Sequence, residues 1–219
     1  MMIGHYAVSL AARSCRNSPP LWAFAAATQL LDIVWCVLIL AGIEHFEPAP
    51  GLSGSTLAFT DYPWSHSLAA ALVWSGLTWL AARYLFALGA RGALLLALVV
   101  LSHWPLDLLV HRPDLPLWPG GPAVGLSLWN HPVFEGGLEV IMVAATSAWW
   151  SLCLWSQGRR PWRAWIFGGV LIALFLAAGP GIPADSLTVG SFGLGFYLFV
   201  IVLAWLVDRP WGRGANTAH

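Results

Sequence analysis

The chain of 219 residues contains ten basic residues, all of them Arg, and ten acidic residues, so that 9% of it is charged and 58% is hydrophobic. A soluble domain is about one-quarter charged, so this chain lacks the polar surface needed to face water on all sides. Its net charge of zero offers no basic face to a phosphate backbone, which argues against nucleic acid as a partner. We therefore expect a single all-α domain, residues 1–219, whose solvent is the lipid bilayer.

Apolar runs separated by Pro- and Gly-rich breaks predict an integral membrane bundle of about six transmembrane helices. A bilayer core needs about 20 apolar residues of helix, and each run approaches this length. A short N-terminal helix over residues 1–16 precedes the bundle, either as an amphipathic surface helix or as a re-entrant half-helix. The predicted spans are 21–43, 64–82, 91–111, 131–155, 163–179 and 187–207.

The arginines predict the orientation of this bundle. Nine of them fall on one side of a six-span arrangement, and only Arg112 falls on the other. Because basic loops stay in the cytoplasm, we expect both termini to be cytoplasmic in a multi-pass protein of a bacterial-type inner membrane. The acidic residues on the opposite side are Glu44, Glu47, Asp61, Asp114 and Asp185.

Ionisable side chains concentrate in the outer half of the predicted spans, although each costs about 2.5–3.5 kcal/mol to insert. Asp32 lies within the first span, and His66 is near the start of the second. His103 and Asp107 are four residues apart, so they share one face of the third helix, and His111 follows one turn later. Each residue alone is explained by an ordinary hydrogen bond or by helix capping. Their concentration on one side of the membrane favours a shared site.

The start of the fourth span repeats the same spacing. His131 and Glu135 are four residues apart, and Glu139 adds another turn. Imidazole and carboxylate ligands suit Zn²⁺ or a similar divalent transition metal. If the N-terminal helix is re-entrant, His5 reaches about 12 Å up from Arg13, where it can converge with the other candidate ligands. The sequence therefore predicts a metal site in the outer half of the bundle.

The order of these motifs resembles the YdjM-like family of inner-membrane metal-dependent hydrolases. The hallmarks of that family are a Gly-His near the N-terminus, an Asp in the next span, a His-Ser at a span start, and a Ser-His-x-x-x-Asp. In this chain they are Gly4-His5, Leu31-Asp32, Ser65-His66-Ser67 and Ser102-His103-Trp104-Pro105-Leu106-Asp107.

The order of ligands is also similar, more distantly, to zinc-dependent phospholipase C and the related single-strand nucleases, which are soluble helical enzymes. The similarity implies one to three divalent ions, zinc first. The gap between Asp32 and His66 is long, which leaves Asp61 as an alternative ligand to Asp32. Glu139 is likewise an alternative to Glu135. The implied ligands are His5, Asp32, His66, His103, Asp107, His111, His131 and Glu135.

Together these features predict a metal-dependent hydrolase that acts on a phosphoester, of lipid character, at the outer leaflet. Asp107 and Glu135 are the candidate catalytic residues. Two other interpretations remain open. One is a non-catalytic accessory transmembrane subunit of a larger membrane complex. The other is a metal or proton transporter, in which intramembrane carboxylates and histidines form a relay.

Overall fold

The computed structural model describes residues 1–178 and 185–209, most of which are helical. The predicted end of the fifth span at residue 179, and Arg213, lie outside the described residues. A π-helical turn over Ala81–Leu85 extends the fifth helix, and a 3₁₀ turn over Leu128–Asn130 precedes the eighth. The helices are α1 (Gly4–Arg13), α2 (Leu21–Thr28), α3 (Leu30–Leu40), α4 (Pro63–His66), α5 (Leu68–Leu80), α6 (Ala90–Leu101), α7 (His103–Val110), α8 (Pro132–Ser156), α9 (Trp162–Ala177) and α10 (Ser186–Asp208).

Four helical segments in the described part of the chain are long and apolar enough to cross a membrane. A fifth candidate is the pair α2 and α3, which would form one span bent by 51° at the break between them. Large apolar side chains such as Val73, Phe192 and Leu198 remain exposed on these helices, as expected of surfaces that contact lipid. The four segments are Leu68–Leu85, Ala90–Val110, Pro132–Ser156 and Ser186–Asp208.

Helix α1 packs within the bundle, against α8 and α2, instead of lying on its outer surface. Ile3 and Tyr6 are fully buried. Glu139 of α8 closes the N-terminal end: its Oε1 accepts the amide of Met2, and its Oε2 accepts those of Ile3 and Gly4. The first amides of a helix have no partner within the helix, so this carboxylate satisfies groups that a dry interior would otherwise leave unpaired.

The first predicted span is broken at Gln29, between α2 and α3. Thr28, the last residue of α2, directs its backbone carbonyl to the ring of His103, whose Nδ1 lies 2.7 Å away. The Thr28 hydroxyl donates to the carbonyl of His5 at 2.9 Å. A break in a helix is tolerated where its backbone is buried in protein and the freed polar groups find partners, as the carbonyl and hydroxyl of Thr28 do.

Two short antiparallel hairpins lie at one end of the bundle, which we call the hairpin end. Phe46 and Phe59 pair across the first hairpin, and their rings lie 5.7 and 5.5 Å from that of Trp35. The chain is therefore mostly helical, not all-α as predicted. The strands could not be recognised in the sequence because they are short, lie in Pro- and Gly-rich loops and show no alternation of polar and apolar residues. The strands are β1 (His45–Pro48) with β2 (Leu57–Asp61), and β3 (Leu115–Pro116) with β4 (Ala123–Val124).

The second predicted span, 64–82, is shifted towards the C-terminus. Ser67 is extended and separates α4 from α5, and its side chain accepts the amide of Ala70 at 3.0 Å. This capping bond starts α5 at Leu68, and the π-helical turn carries the apolar segment on to Leu85. His66 consequently belongs to the separate turn α4 rather than to the span itself.

Replacing Glu139 by Ala should destabilise the fold by about 2–4 kcal/mol, because three buried amides lose a charged acceptor. Equilibrium unfolding in mixed detergent micelles, with chelator present to remove any contribution from bound metal, measures this change. Glu47→Ala on the exposed side of β1 is the control and should stay within about 0.5 kcal/mol of the native chain. Equal stability of the two variants would contradict an anchoring role for Glu139.

Candidate metal centre

Asp107 on α7 is the centre of a buried group of histidines and is 2% exposed. Its Oδ1 lies 3.0 Å from Nε2 of His5, and its Oδ2 lies 3.0 Å from Nε2 of His103. The same Oδ2 lies 3.8 Å from Nε2 of His66 and 4.0 Å from Nε2 of His111. Four imidazoles therefore turn the same ring nitrogen towards one carboxylate.

Asp32 on α3 brings a second carboxylate to the group. Its Oδ1 lies 3.1 Å from Nε2 of His66 and 3.6 Å from Nε2 of His103. The side chain of Asp32 is 17% exposed, against 3% for that of Asp107, so Asp32 marks the more accessible edge. The α-amino group of Met1 also donates to Asp107 Oδ1, at 3.0 Å.

Two sets of three side chains have donor atoms within 4.8 Å of one another: His5 with His103 and Asp107, and Asp32 with His66 and His103. Ligands about 2.0–2.1 Å from a tetrahedral zinc ion lie about 3.3 Å from one another, close to the separations observed here. His103 belongs to both sets, and its Nε2 can bind only one ion. The group can hold a metal ion, but the two sets are not two complete sites.

The orientation of His103 is fixed from outside the group. Its Nδ1 donates to the carbonyl of Thr28, and because a carbonyl only accepts, Nδ1 carries the hydrogen. In the neutral ring Nε2 then carries the lone pair. Among the described residues Nε2 makes no hydrogen bond, although it lies 3.0 Å from Asp107 Oδ2. A neutral imidazole that donates one ring nitrogen to a fixed acceptor presents its other nitrogen in the form that binds a metal.

His66 is oriented by a serine and a glutamate at the hairpin end. Its Nδ1 lies 2.7 Å from the hydroxyl oxygen of Ser65, and that hydroxyl donates to Oε2 of Glu44 at 2.6 Å. The Ser65 hydroxyl has one hydrogen, which it donates to Glu44. Its oxygen therefore accepts the hydrogen of His66 Nδ1. Nε2 of His66 again presents its lone pair to the group.

His111 follows α7 and has the same arrangement. Its Nδ1 donates to Oδ1 of Asp114 at 2.9 Å, and Tyr62 packs beside it, with its hydroxyl bonded to the backbone carbonyl of Asp114 at 3.0 Å. Burial lowers the pKa of His111, despite the opposing effects of Asp114 and Asp107. The neutral imidazole is thereby favoured, with Nε2 directed towards Asp107.

In these tautomers the ring nitrogen that faces the carboxylates carries no hydrogen. Lone pairs on the imidazole nitrogens face carboxylate oxygens, and the two repel each other unless a proton or a cation lies between them. The rings of His5 and His103 are stacked at 3.8 Å with an interplanar angle of 4°, so positive charge on both would be costly. One divalent cation would satisfy several of these donors at once, and the donor set fits such an ion.

The structure does not bring the other predicted ligands into this group. His131 is exposed and precedes α8 with φ −124° and ψ 67°, so it does not share a helical face with Glu135. Glu139 binds the amides of α1, and Glu135 is in hydrogen-bonding contact with Glu139. Asp61, the alternative to Asp32, is exposed at the end of β2.

Sequence reasoning missed the residues that orient the histidines: Thr28, Glu44, Ser65 and Asp114. Ser65 had a partial signal, since it adjoins His66 in a hallmark motif. Glu44 and Asp114 had none, because they appear only as acidic loop residues on the side opposite the arginines. Their role depends on the path of the hairpin-end loops.

No protein-family model, curated protein or solved structure matches the chain. The function must therefore be inferred from the geometry of the described residues. The resemblance to the YdjM-like family stays a prediction.

Asp107→Asn should remove most of the bound metal, because the amide keeps the shape of the side chain but loses the charge that offsets a divalent cation in a low dielectric. The native chain should contain near-stoichiometric divalent metal, measured by elemental analysis after purification in detergent. Chelator should lower the melting temperature of the native chain and leave that of the variant unchanged, since metal that binds only the folded state stabilises it. Asp61→Asn, the same change at an exposed site, should behave as the native chain does. Metal-free native protein would refute the metal centre.

Proposed function

We propose that this protein is a membrane-embedded hydrolase, dependent on a divalent metal ion and acting on a phosphoester at the outer leaflet. The observation that carries the proposal is the convergence of four imidazole Nε2 atoms on Asp107, three of them with Nδ1 held by outside partners. An ordinary network of hydrogen bonds would not need to hold one ring nitrogen of three histidines away from the carboxylates. A metal-binding histidine typically donates its other ring nitrogen to a carboxylate, a carbonyl or a similar acceptor.

The proposed topology has six crossings with both termini in the cytoplasm. The four long segments and the broken pair α2–α3 supply five, and α9, an apolar helix of 16 residues, supplies the sixth. A helix of this length is about 24 Å long, short for a bilayer core, so α9 would need local thinning or an extension at one end. The arginine distribution then places the hairpin end outside.

This topology would put the metal centre at the depth of the lipid headgroups. Asp107 lies 17 residues beyond Ala90 and three before Val110, which is about 26 Å and about 5 Å along the helix. The accessible edge at Asp32 would face a substrate or water that enters from the outer leaflet. That depth favours a phosphoester of lipid character.

An anionic substrate is also favoured by Arg112. Its Nη2 donates to the carbonyl of Ser53 at 2.6 Å, and its guanidinium lies 5.8 Å from the ring of Trp129, which in turn lies 4.2 Å from that of His111. No acidic side chain pairs with Arg112 in residues 1–178 and 185–209. Its charge therefore remains available to attract a phosphate to this side of the protein.

In this proposal His5, His66, His103 and Asp107 hold the ion, and Asp32 lies beside it. When bound, the ion supplies Lewis acidity towards a phosphoryl oxygen and makes water a better nucleophile at neutral pH. The more exposed carboxylate of Asp32 is placed to orient the attacking water and accept its proton. Glu135 lies beside Glu139 and takes no part.

The break between α2 and α3 favours one alternative, a metal-ion transporter. Transporters bind ions where discontinuous helices meet, and Asp32 lies three residues beyond Gln29 at the break. The inserted helix α1 adds a second discontinuous element. The donor cluster favours the hydrolase over this alternative, because it lies at one end of the bundle and α9 and α10 contribute no ligand among the described residues.

The topology predicts opposite accessibility for Gly51 and Gln157, both of which are exposed. In a background without the native cysteines, Gly51→Cys should react with a membrane-impermeant maleimide in intact cells, and Gln157→Cys only after the membrane is opened. Gly51 has room for a side chain, so the substitution should be tolerated. Labelling of both positions from the same side would refute the six-span arrangement.

Hydrolysis tests the proposed function directly. The purified native chain, first loaded with Zn²⁺ and then reconstituted in liposomes, should cleave bis(4-nitrophenyl) phosphate or a fluorogenic phospholipid. Asp32→Asn should reduce kcat by more than the roughly 10–100-fold that is usual when a residue that only orients a metal ligand is lost. Asp61→Asn should leave it unchanged. Zn²⁺ uptake into the liposomes without hydrolysis would replace the hydrolase with the transporter, and the absence of both would favour an accessory subunit.

A further inference from the structure

Glu44 is a buried carboxylate that the proposed chemistry does not use. It lies between α3 and β1 and is 1% exposed, whereas Glu47 on the same hairpin is exposed. No basic side chain forms an ion pair with Glu44 within the described ranges. Burying a carboxylate without a counter-charge is costly unless hydrogen bonds compensate it, so its contacts are informative.

The side-chain hydrogen bonds of Glu44 among the described residues all go to the turn that carries His66. Oε1 accepts the amides of Trp64 and Ser65 at 2.7 and 2.9 Å, and Oε2 accepts the Ser65 hydroxyl at 2.6 Å. These bonds fix the first residues of α4 relative to the end of α3, the helix that carries Asp32. One carboxylate thus fixes both the backbone and the side chain next to His66.

The direction of these bonds determines which nitrogen of His66 faces the group. A carboxylate accepts and does not donate, so the hydroxyl hydrogen of Ser65 points to Glu44. The hydroxyl oxygen then accepts from Nδ1 of His66 at 2.7 Å. In the neutral ring Nε2, which lies 3.1 Å from Asp32 Oδ1, is then the nitrogen left to bind a cation. Without Glu44 the hydroxyl is free to rotate and donate to Nδ1, which would place the hydrogen on Nε2, where it blocks a metal.

We propose that Glu44 is a positioning residue for the metal centre: acting through Ser65, it holds His66 in the tautomer and orientation that bind a divalent cation. The proposal rests on the metal centre of the proposed function. A neutral cap would have sufficed for the backbone alone, as Ser67 shows at the start of α5. The buried charge has a further effect, because it strengthens His66 as a ligand through the intervening hydroxyl.

The test is the Zn²⁺ affinity of the full chain in detergent, measured by competition with a chromogenic chelator. Glu44→Gln should raise the Kd by about 10–100-fold, the usual cost of losing an outer-shell partner. Glu47→Gln makes the same change on the exposed side of the hairpin and should leave the Kd unchanged. Ser65→Ala removes the link but leaves the two backbone bonds of Glu44, and it should weaken binding to a similar extent. Ser65→Thr keeps the hydroxyl and should restore native affinity.

Two further measurements separate positioning from a structural role. In the double variant with Glu44→Gln and Ser65→Ala the losses in affinity should not add, because both residues act through one hydrogen-bond chain. The visible absorption bands of bound Co²⁺ should change in Glu44→Gln and stay native in Glu47→Gln. With chelator present, Ser65→Ala should still unfold in one cooperative transition, so that its loss of Zn²⁺ affinity is measured on a folded chain.

The outcomes distinguish this inference from the proposed function. Native Zn²⁺ affinity and native Co²⁺ bands in Glu44→Gln would overturn the inference and leave the hydrolase intact. Additive losses in the double variant would also overturn it. Dependence of Zn²⁺ affinity on Glu44 in a chain that cleaves no phosphoester would support the positioning role and refute the hydrolase. A native chain that binds no divalent cation overturns both.

Discussion

The structure depends on how two carboxylates, Asp32 and Asp107, are buried in a bundle whose outer surface is apolar. The chain has no lysine, and no Arg side chain pairs with either carboxylate in the part that the structure describes. An isolated buried carboxylate is costly, so the charge must be balanced by imidazoles, by the amine of Met1, or by a cation. The path of each surrounding element brings one of these groups to within 4.0 Å of Asp107.

The irregular segments of the backbone serve the same cluster. The break at Gln29 leaves the Thr28 carbonyl directed at His103, and the inserted helix α1 carries His5 to Asp107. Glu139 satisfies the amides at the start of α1, which would otherwise be buried without a partner. The break at Gln29 and the packing of α1 within the bundle therefore hold the histidines in place.

Part of the candidate site followed from the sequence because it depends on local geometry. His103 and Asp107 are four residues apart within one helix, and their Nε2 and Oδ2 atoms lie 3.0 Å apart. The same spacing at His131 and Glu135 was misleading, because His131 precedes α8 and is not helical. Spacing predicts a shared face only when both residues lie in the helix, and the start of a helix is the feature that sequence fixes least well.

The sequence by itself determined the helical character, the presence of helices apolar enough to cross a membrane and the residue types that gather at the hairpin end, because composition and apolar run length act along the chain. Only the tertiary structure decided which carboxylates join the histidines and which ring nitrogens face them. Glu44 is a loop residue whose partner, Ser65, lies 21 positions away. Such contacts depend on how the loops fold back over the helices, and no local periodicity encodes that path.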